Sequence, residues 1–140
     1  MKSDEPRVTK RQYEMLANFR YELRKFMRYS EAVTHKHGIT PLQYQLMLQV
    51  KGYPARDWAT VSELAERLQA KHHGVVALVT RCEKGGLVQR STSEDDRRSV
   101  RVSLTEKGER ALRRLAQLHR DELLAHRSGF HIPDMNELED

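Results

Sequence analysis

Apolar residues recur every three or four positions near the start of the chain, in a stretch without proline or glycine. The stretch covers residues 9–36, and its apolar positions are Leu16, Phe19, Leu23, Phe26, Met27, Tyr29 and Val33. Because this spacing lines up side chains on one helical face, it predicts a long amphipathic helix. We expect the helix to end at Gly38. A stripe of this length is hard to cover within a chain of 140 residues.

Two capping boxes mark helix starts in the middle of the chain. In each, a threonine is followed three residues later by Gln or Glu, so that side chains and backbone N–H groups cap one another. The predicted helices run from Thr40 to about Val50, with Pro41 and Gln43 in the first turn, and from Thr60 to Leu68, with Glu63 in the first turn. Residues 52–59, which include Trp58, are predicted to form a loop.

A further short helix is predicted after a break at residues 69–72. It covers residues 73–84 and is stopped by Gly85–Gly86. The apolar residues expected to face the core from this helix and the one before it are Val61, Leu64, Ala65, Leu68, Val76, Leu78, Val79 and Cys82.

Residues 87–104 contain two alternating runs around a polar tip. Alternation is typical of half-buried strands, and two such runs predict a β-hairpin. The tip has no apolar residue and carries Asp95, Asp96, Arg97 and Arg98. Thr105 then predicts the cap of a final long helix with Leu112, Leu115, Leu118 and Leu123 on its apolar stripe. The tail from residue 128 is predicted to be irregular.

The order of elements is four helices, a hairpin and a last helix. Two short helices joined by a tight turn and followed by a hairpin predict a winged helix-turn-helix, in which the second short helix enters the major groove of DNA. The fold class is therefore mainly α with a small β-hairpin wing, an α+β arrangement. Residues 38–104 would form the DNA-binding unit, between an N-terminal arm and helix at 1–37 and a C-terminal helix and acidic tail at 105–140.

At residues 96–108 the chain resembles the wing and wing-to-helix junction of the MarR family of bacterial transcription regulators. Residues 42–48, 62–65 and 83–88 support the resemblance. It implies a homodimer whose first and last helices intertwine, so both terminal helices are dimerisation helices. It also implies binding to a pseudo-palindromic operator on double-stranded DNA, with repression as the commoner mode and small-molecule or redox control in some members.

The predicted DNA contacts lie on the second short helix and the wing. On the helix they are Lys71, His72, His73, Gly74, Thr80 and Arg81, and on the wing Arg90, Asp96, Arg97 and Arg98. The resemblance implies that Arg98 enters the minor groove, with Asp96 as its orienter and Arg97 on the backbone. Arg90, with Arg101, Ser62 and Thr60, is a weaker candidate for backbone contact. An ordinary solvated helix end and a charged turn are the alternatives.

Composition adds limits rather than a function. The net charge of +5 only hints at a polyanionic partner. Cys82 is the single cysteine, so no intramolecular disulfide is possible, and a buried structural thiol is expected rather than a sensor. The sequence has no long apolar run or secretory signal, which favours the cytoplasm. It has no Gly-rich phosphate loop, nucleophile elbow or HExxH motif, and we expect neither an enzyme nor a cofactor.

An effector and a metal remain open hypotheses. The resemblance implies an effector pocket for a phenol or aromatic acid, with candidates Phe19 (or Phe26), Arg20 (or Arg24), Tyr44, Met47 and Trp58. Core packing explains the apolar members equally well, and solvation explains the arginine. His119 and His126 share a helical face, but no tight ligand cluster accompanies them, so no metal site is predicted. The alternative functions are a zinc-responsive regulator of the same fold and a winged-helix module for protein interactions that does not bind DNA.

Overall fold

The computed structural model describes residues 7–92, 99–127 and 133–139. Its elements are α1 (Lys10–Lys36), α2 (Pro41–Lys51), β1 (Trp58–Thr60), α3 (Val61–Leu68), α4 (His72–Lys84), β2 (Val88–Thr92), β3 (Val100–Leu104), α5 (Glu106–Ala125) and α6 (Met135–Leu138). The predicted fold class is confirmed. Within the described residues, no helix has the length and apolar character needed to cross a bilayer.

The first helix begins and ends where the sequence predicts. Thr9 and Gln12 form a capping box at its start, and Gly38 follows its end with φ +71°, a conformation that suits glycine. Helix α1 lies against α5, where the Tyr29 hydroxyl donates to the Leu118 carbonyl at 3.1 Å. The rest of its apolar stripe is only partly covered by the described chain. Exposed apolar residues of α1 are Tyr13, Leu16, Tyr21 and Met27.

Helices α3 and α4 form the helix-turn-helix and pack with α2 around the core. The capping boxes at Thr40 and Thr60 are both present. Gln69, in the left-handed conformation with φ +50°, makes the turn between α3 and α4. Of the adjacent pair Val75 and Val76 in α4, the inward residue is Val75, which is 1% exposed. The prediction of Val76 was wrong, because that side chain is 38% exposed and faces the groove described below.

The hairpin is confirmed and gains a third strand. The sheet has the order β1-β3-β2, with both neighbouring pairs antiparallel. Residues 58–60 were predicted as part of a loop and a helix cap, but they pair with β3, with Ala59 opposite Val102 and both fully buried. We use "wing" for residues 87–104; β1 extends its sheet.

Helix α5 is attached to the wing through its first turn. The Thr105 side chain caps the helix by accepting from the Gly108 N–H at 3.0 Å, and its hydroxyl donates to the Gly86 carbonyl at 2.6 Å. Leu112 and Leu115 are buried as predicted, whereas Leu123 is 39% exposed. In the tail, residues 135–138 form the short helix α6, which corrects the prediction of an irregular segment there.

Candidate nucleic-acid interface

A groove opens between the start of α3, the outer face of α4 and the wing. It is lined by Thr60, Val61, Ser62, His72, Val76, Thr80, Arg90, Ser99 and Val100. The groove thus collects residues from three separate parts of the chain. Several of them are predicted DNA contacts, which places the start of α4 and the inner face of the wing on one surface.

The start of α4 is the most open part of this surface. Lys71 is the N-cap residue and makes no side-chain capping bond, and His72, His73 and Gly74 are all exposed. The N–H groups of a first helical turn have no partner within the helix and attract anions. A Cβ atom built on Gly74 would meet no atom within 4 Å, so the chain leaves this backbone accessible. These four positions therefore expose a cation, two imidazoles and bare backbone at the start of α4.

Further along α4, Thr80 and Arg90 bind each other. The Arg90 guanidinium donates to Thr80 Oγ1 at 2.6 Å and to the Val76 carbonyl at 3.1 Å, and it lies 3.4 Å from a Glu83 carboxylate oxygen. Arg90 therefore joins β2 to α4 with most of its donors engaged inside the protein. Arg81 is exposed on the same helix. The sequence had no signal for this difference, because both residues are arginines beside polar neighbours.

The wing tip cannot be placed in the same way. Asp96, Arg97 and Arg98 lie outside the described residues. The two strands that lead to the tip, β2 and β3, are paired from Val88–Leu104 to Thr92–Val100. The assignments of Arg98 to the minor groove and Asp96 to its orientation therefore stay predictions.

On the outer face of the sheet, Trp58 contacts two arginines. The guanidinium carbons of Arg56 and Arg101 each lie 3.9 Å from the centre of the Trp58 ring system. Arg56 also covers Tyr53 at 4.2 Å and forms an ion pair with Glu63. We call Arg56, Trp58 and Arg101 the arginine–tryptophan stack.

Glu63 anchors that stack to the start of α3. Burial alone would raise the pKa of its carboxyl, but hydrogen bonds from Tyr53, Thr60 and Arg56 outweigh burial and lower the pKa to about 2. The same carboxylate accepts from the Thr60 N–H at 2.9 Å as part of the capping box. The Glu63 side chain thus fixes both the start of α3 and the position of Arg56 beside Trp58.

The five residues predicted for an effector pocket lie in different surroundings. Met47 is fully buried in the core, and Tyr44 is buried against α5. Trp58 belongs to the arginine–tryptophan stack. Arg20 lines a groove on α1, and Phe19 is half-buried on that helix. The structure therefore does not gather all five around one cavity.

A buried histidine at the junction of α1, α2 and α5 was not predicted. His119 is 5% exposed and stacks on Tyr44 with ring centroids 4.3 Å apart, while Phe26 and Tyr29 approach it edge-on at 5.8 Å. Its Nδ1 lies 2.7 Å from the Leu115 carbonyl, and because a carbonyl oxygen only accepts, Nδ1 carries a proton. Its Nε2 lies 2.8 Å from the Ser30 hydroxyl. The available signal was its place four residues after Leu115 on the buried stripe.

The other residues considered for metal binding or redox chemistry do not form a site among the described residues. His126 pairs with Glu122 at 3.1 Å, and among the described residues no group of three or more His, Cys, Asp or Glu could hold a metal ion. Cys82 is fully buried, and burial raises the pKa of its thiol to about 11 despite the opposing charge of Arg81. A buried neutral thiol is a poor nucleophile.

Comparisons with known proteins point to one family. The protein-family model that is described as "MarR family" matches residues 37–99 of this chain. The chain is 35% identical over 104 residues to an HTH-type transcriptional regulator of Bacillus cereus, covering 74% of this chain and 64% of the relative. It is 34% identical over 74 residues to the HTH-type transcriptional repressor MdtR of Bacillus subtilis, covering 53% of this chain and 46% of MdtR. The matches thus span less than two thirds of these relatives.

Solved structures agree on the fold. AbsC, described as a MarR family transcriptional regulator from Streptomyces coelicolor, superposes with a TM-score of 0.76 over 96% of this chain and 91% of AbsC, at 24% identity. At that identity the likeness shows the shared fold. The winged helix-turn-helix and both long terminal helices fall within the superposed part.

Proposed function

Because this chain belongs to the MarR family, we propose that it is a sequence-specific DNA-binding transcription regulator that acts as a homodimer. The observation that carries the proposal is the exposed start of α4 beside the groove under the wing. The names of the B. cereus relative and of MdtR support regulation, and MdtR supports repression in particular. We place the protein in the cytoplasm, because its proposed partner, DNA, lies there.

The proposed contacts divide into base contacts and phosphate contacts. His72 and His73 stand at the tip of α4, where imidazole nitrogens can donate to or accept from base edges in the major groove. Lys71 and the N–H groups of the first turn suit a backbone phosphate. Phosphate contacts fix the position of a protein on DNA, and base contacts select the sequence. Selection would therefore depend on the histidines, and affinity more on Lys71.

The proposed dimer would use the apolar surface that α1 and α5 leave open. Exposed large apolar residues of these helices include Tyr13, Leu16, Met27 and Leu124, at 45% to 58% exposure. Several large exposed apolar side chains on two long helices are typical of an interface. Two copies joined there would carry their α4 helices to successive major grooves, about 34 Å apart.

The test is operator selection followed by titration. Genomic fragments bound by the purified protein would be sequenced, and affinity for the selected duplex measured by fluorescence anisotropy. We expect Lys71→Ala and Arg98→Ala to weaken binding and to flatten its salt dependence, whereas Arg113→Ala, a change of the same charge on the exposed face of α5, should leave both unchanged. If no fragment is selected and the protein instead binds a protein partner, the interaction-module alternative replaces this proposal.

A phenolic or aromatic acid effector is the finer part of the proposal. The cluster of His119, Tyr44, Phe26 and Tyr29 supports it, because it joins both long helices to α2 through aromatic rings. A ligand that changed this packing would change the spacing of the two α4 helices. A series of aromatic acids should include one that raises the melting temperature and releases DNA, and His119→Phe should abolish its effect. A series without any such compound would refute this part alone.

A further inference from the structure

Arg101 differs from the other described arginine of the wing, Arg90, in what its donors do. The guanidinium of Arg90 is hydrogen-bonded to α4 at two acceptors and lies beside Glu83. The guanidinium carbon of Arg101 lies 3.9 Å from the centre of the Trp58 ring, and within residues 7–92, 99–127 and 133–139 its side chain has no hydrogen-bond acceptor or carboxylate partner. Stacking uses the face of a guanidinium and leaves the N–H groups at its edge available. Among the described residues, Arg101 is therefore a charged group that is oriented by a ring and has no carboxylate beside it.

The arginine–tryptophan stack determines the position of the Arg101 side chain. The ring of Trp58 contacts both Arg101 and Arg56, and each guanidinium carbon lies 3.9 Å from the ring centre. Arg56 is fixed in turn by its ion pair with Glu63 at the start of α3. Trp58 therefore connects Arg101 to an arginine that is itself fixed, and its ring determines where Arg101 can point.

The position of Arg101 in the sheet decides what it can reach. It lies in the central strand, between Thr60 of β1 and Ser91 of β2, at the end of the sheet next to the wing tip. Its neighbour Val102 is fully buried on the inner face, so alternation places Arg101 on the outer face, away from the α4 groove. With α4 in the major groove, this outer face would look toward the DNA that flanks the half-site.

We infer that Arg101 binds a backbone phosphate outside the wing, and that Trp58 is the positioning residue that orients it. The inference rests on the proposed DNA-binding function and extends the contact surface by one phosphate for each subunit. It also gives Trp58 a role different from the effector contact predicted from the sequence. An arginine held by stacking loses little further side-chain freedom when it forms a planar pair with phosphate oxygens.

The size of the effect follows from counter-ion release. Each phosphate contact contributes about −0.9 to the slope of log affinity against log salt concentration. A dimer of Arg101→Ala lacks two contacts, so its slope should be shallower by about 1.8. When the salt concentration rises from 50 to 200 mM, the factor by which its affinity falls would then be about twelve times smaller than the factor for the wild type.

The experiment compares four variants on the selected operator. Arg101→Ala should weaken binding and flatten the salt slope, and Arg113→Ala is the control for loss of one positive charge. Trp58→Leu should weaken binding but keep the slope, because Arg101 can still reach the phosphate but must now be ordered when DNA binds. Trp58→Phe should restore most of the affinity, since a ring remains to stack on.

Neutral methylphosphonates at single positions locate the contact. At two symmetric flanking positions, a methylphosphonate should weaken DNA binding by the wild type and should not change DNA binding by Arg101→Ala. Trp58 is the only tryptophan, so its fluorescence should change when the wild type binds DNA and change less in Arg101→Ala. If Arg101→Ala keeps the wild-type slope and methylphosphonate profile, this inference is wrong and the proposed function stands. A wild type that binds no DNA would refute both.

Discussion

Alanine substitutions at two glycines should change the free energy of unfolding in opposite directions. Gly74 is the third residue of α4, and Gly108 is the third residue of α5. Neither has a positive φ, so the backbone itself accepts alanine at both positions. The two variants therefore make the same chemical change at the same helical position and differ only in what surrounds the added methyl group.

The surroundings set the expected magnitudes. At Gly74 the new Cβ meets no atom within 4 Å, and replacing a helical glycine by alanine stabilises by about 0.5–1 kcal/mol. At Gly108 the Cβ would lie 2.0 Å from the carbonyl oxygen of Leu87 and 2.9 Å from its carbon, which are backbone atoms that no rotamer change can move.

Relief of that clash requires α5 and the start of the wing to separate. Overpacking of this kind costs about 1–3 kcal/mol, and the same carbonyl accepts the Thr105 N–H at 3.1 Å, a bond worth about 1 kcal/mol. After subtraction of the helix gain, Gly108→Ala should lose about 2 kcal/mol. For a chain of this size the melting temperature would fall by about 6 °C.

Urea and thermal unfolding followed by circular dichroism, at one fixed protein concentration, would measure both variants. Gly108→Ala at wild-type stability, or Gly74→Ala below it, would refute the reasoning. The same pair also tests the interface. If the α4 backbone approaches DNA closely at Gly74, Gly74→Ala should bind the operator more weakly although it is more stable.

Three further outcomes follow from the contacts described above. The pKa of Glu63 is about 2 against an ordinary value of 4.5, so its carboxylate stabilises the fold above about pH 4.5 and loses that contribution as the pH falls toward 2. Glu63→Gln should therefore be less stable than the wild type by about 2 kcal/mol at pH 7. A wild type that is equally stable at pH 7 and pH 3 would contradict this. Arg90→Ala should lose about 1–3 kcal/mol because its bonds to α4 break, and unchanged unfolding would argue against that link. Cys82 should react with a thiol reagent much faster in urea than in the native protein, and peroxide should leave operator affinity unchanged; fast native reaction would revive the sensor hypothesis.

Local signals predicted the helices closely. The capping boxes at Thr40 and Thr60 involve side chains only three residues apart, so the sequence contains both partners of each bond. The sequence also predicts the inward face of α4, because Val75, Leu78, Val79 and Cys82 are joined by three- and four-residue spacings, whereas Val76 has such a spacing only to Val79. That error came from reading the pattern, not from the pattern itself.

Long-range features were beyond the same reasoning. Strand β1 has three residues and pairs with residues more than forty positions later, so it has too few alternations to be recognised and its partner is not local. The stacking of His119 on Tyr44 likewise depends on how α2 meets α5. Sequence periodicity identifies which face of an element is buried, but it does not identify the neighbour that covers it.

Arg90 and Arg101 illustrate the consequence for function. They lie in adjacent, paired strands, and the sequence offers no reason to separate them. Alternation of the sheet turns Arg90 toward α4, where Thr80 and Glu83 engage it, and turns Arg101 outward onto Trp58. A salt slope counts the cations that release counter-ions, not the cations present. Arg90 would therefore affect DNA binding through the attachment of the wing to α4, and Arg101 through charge, so their alanine variants should separate in stability and in salt dependence.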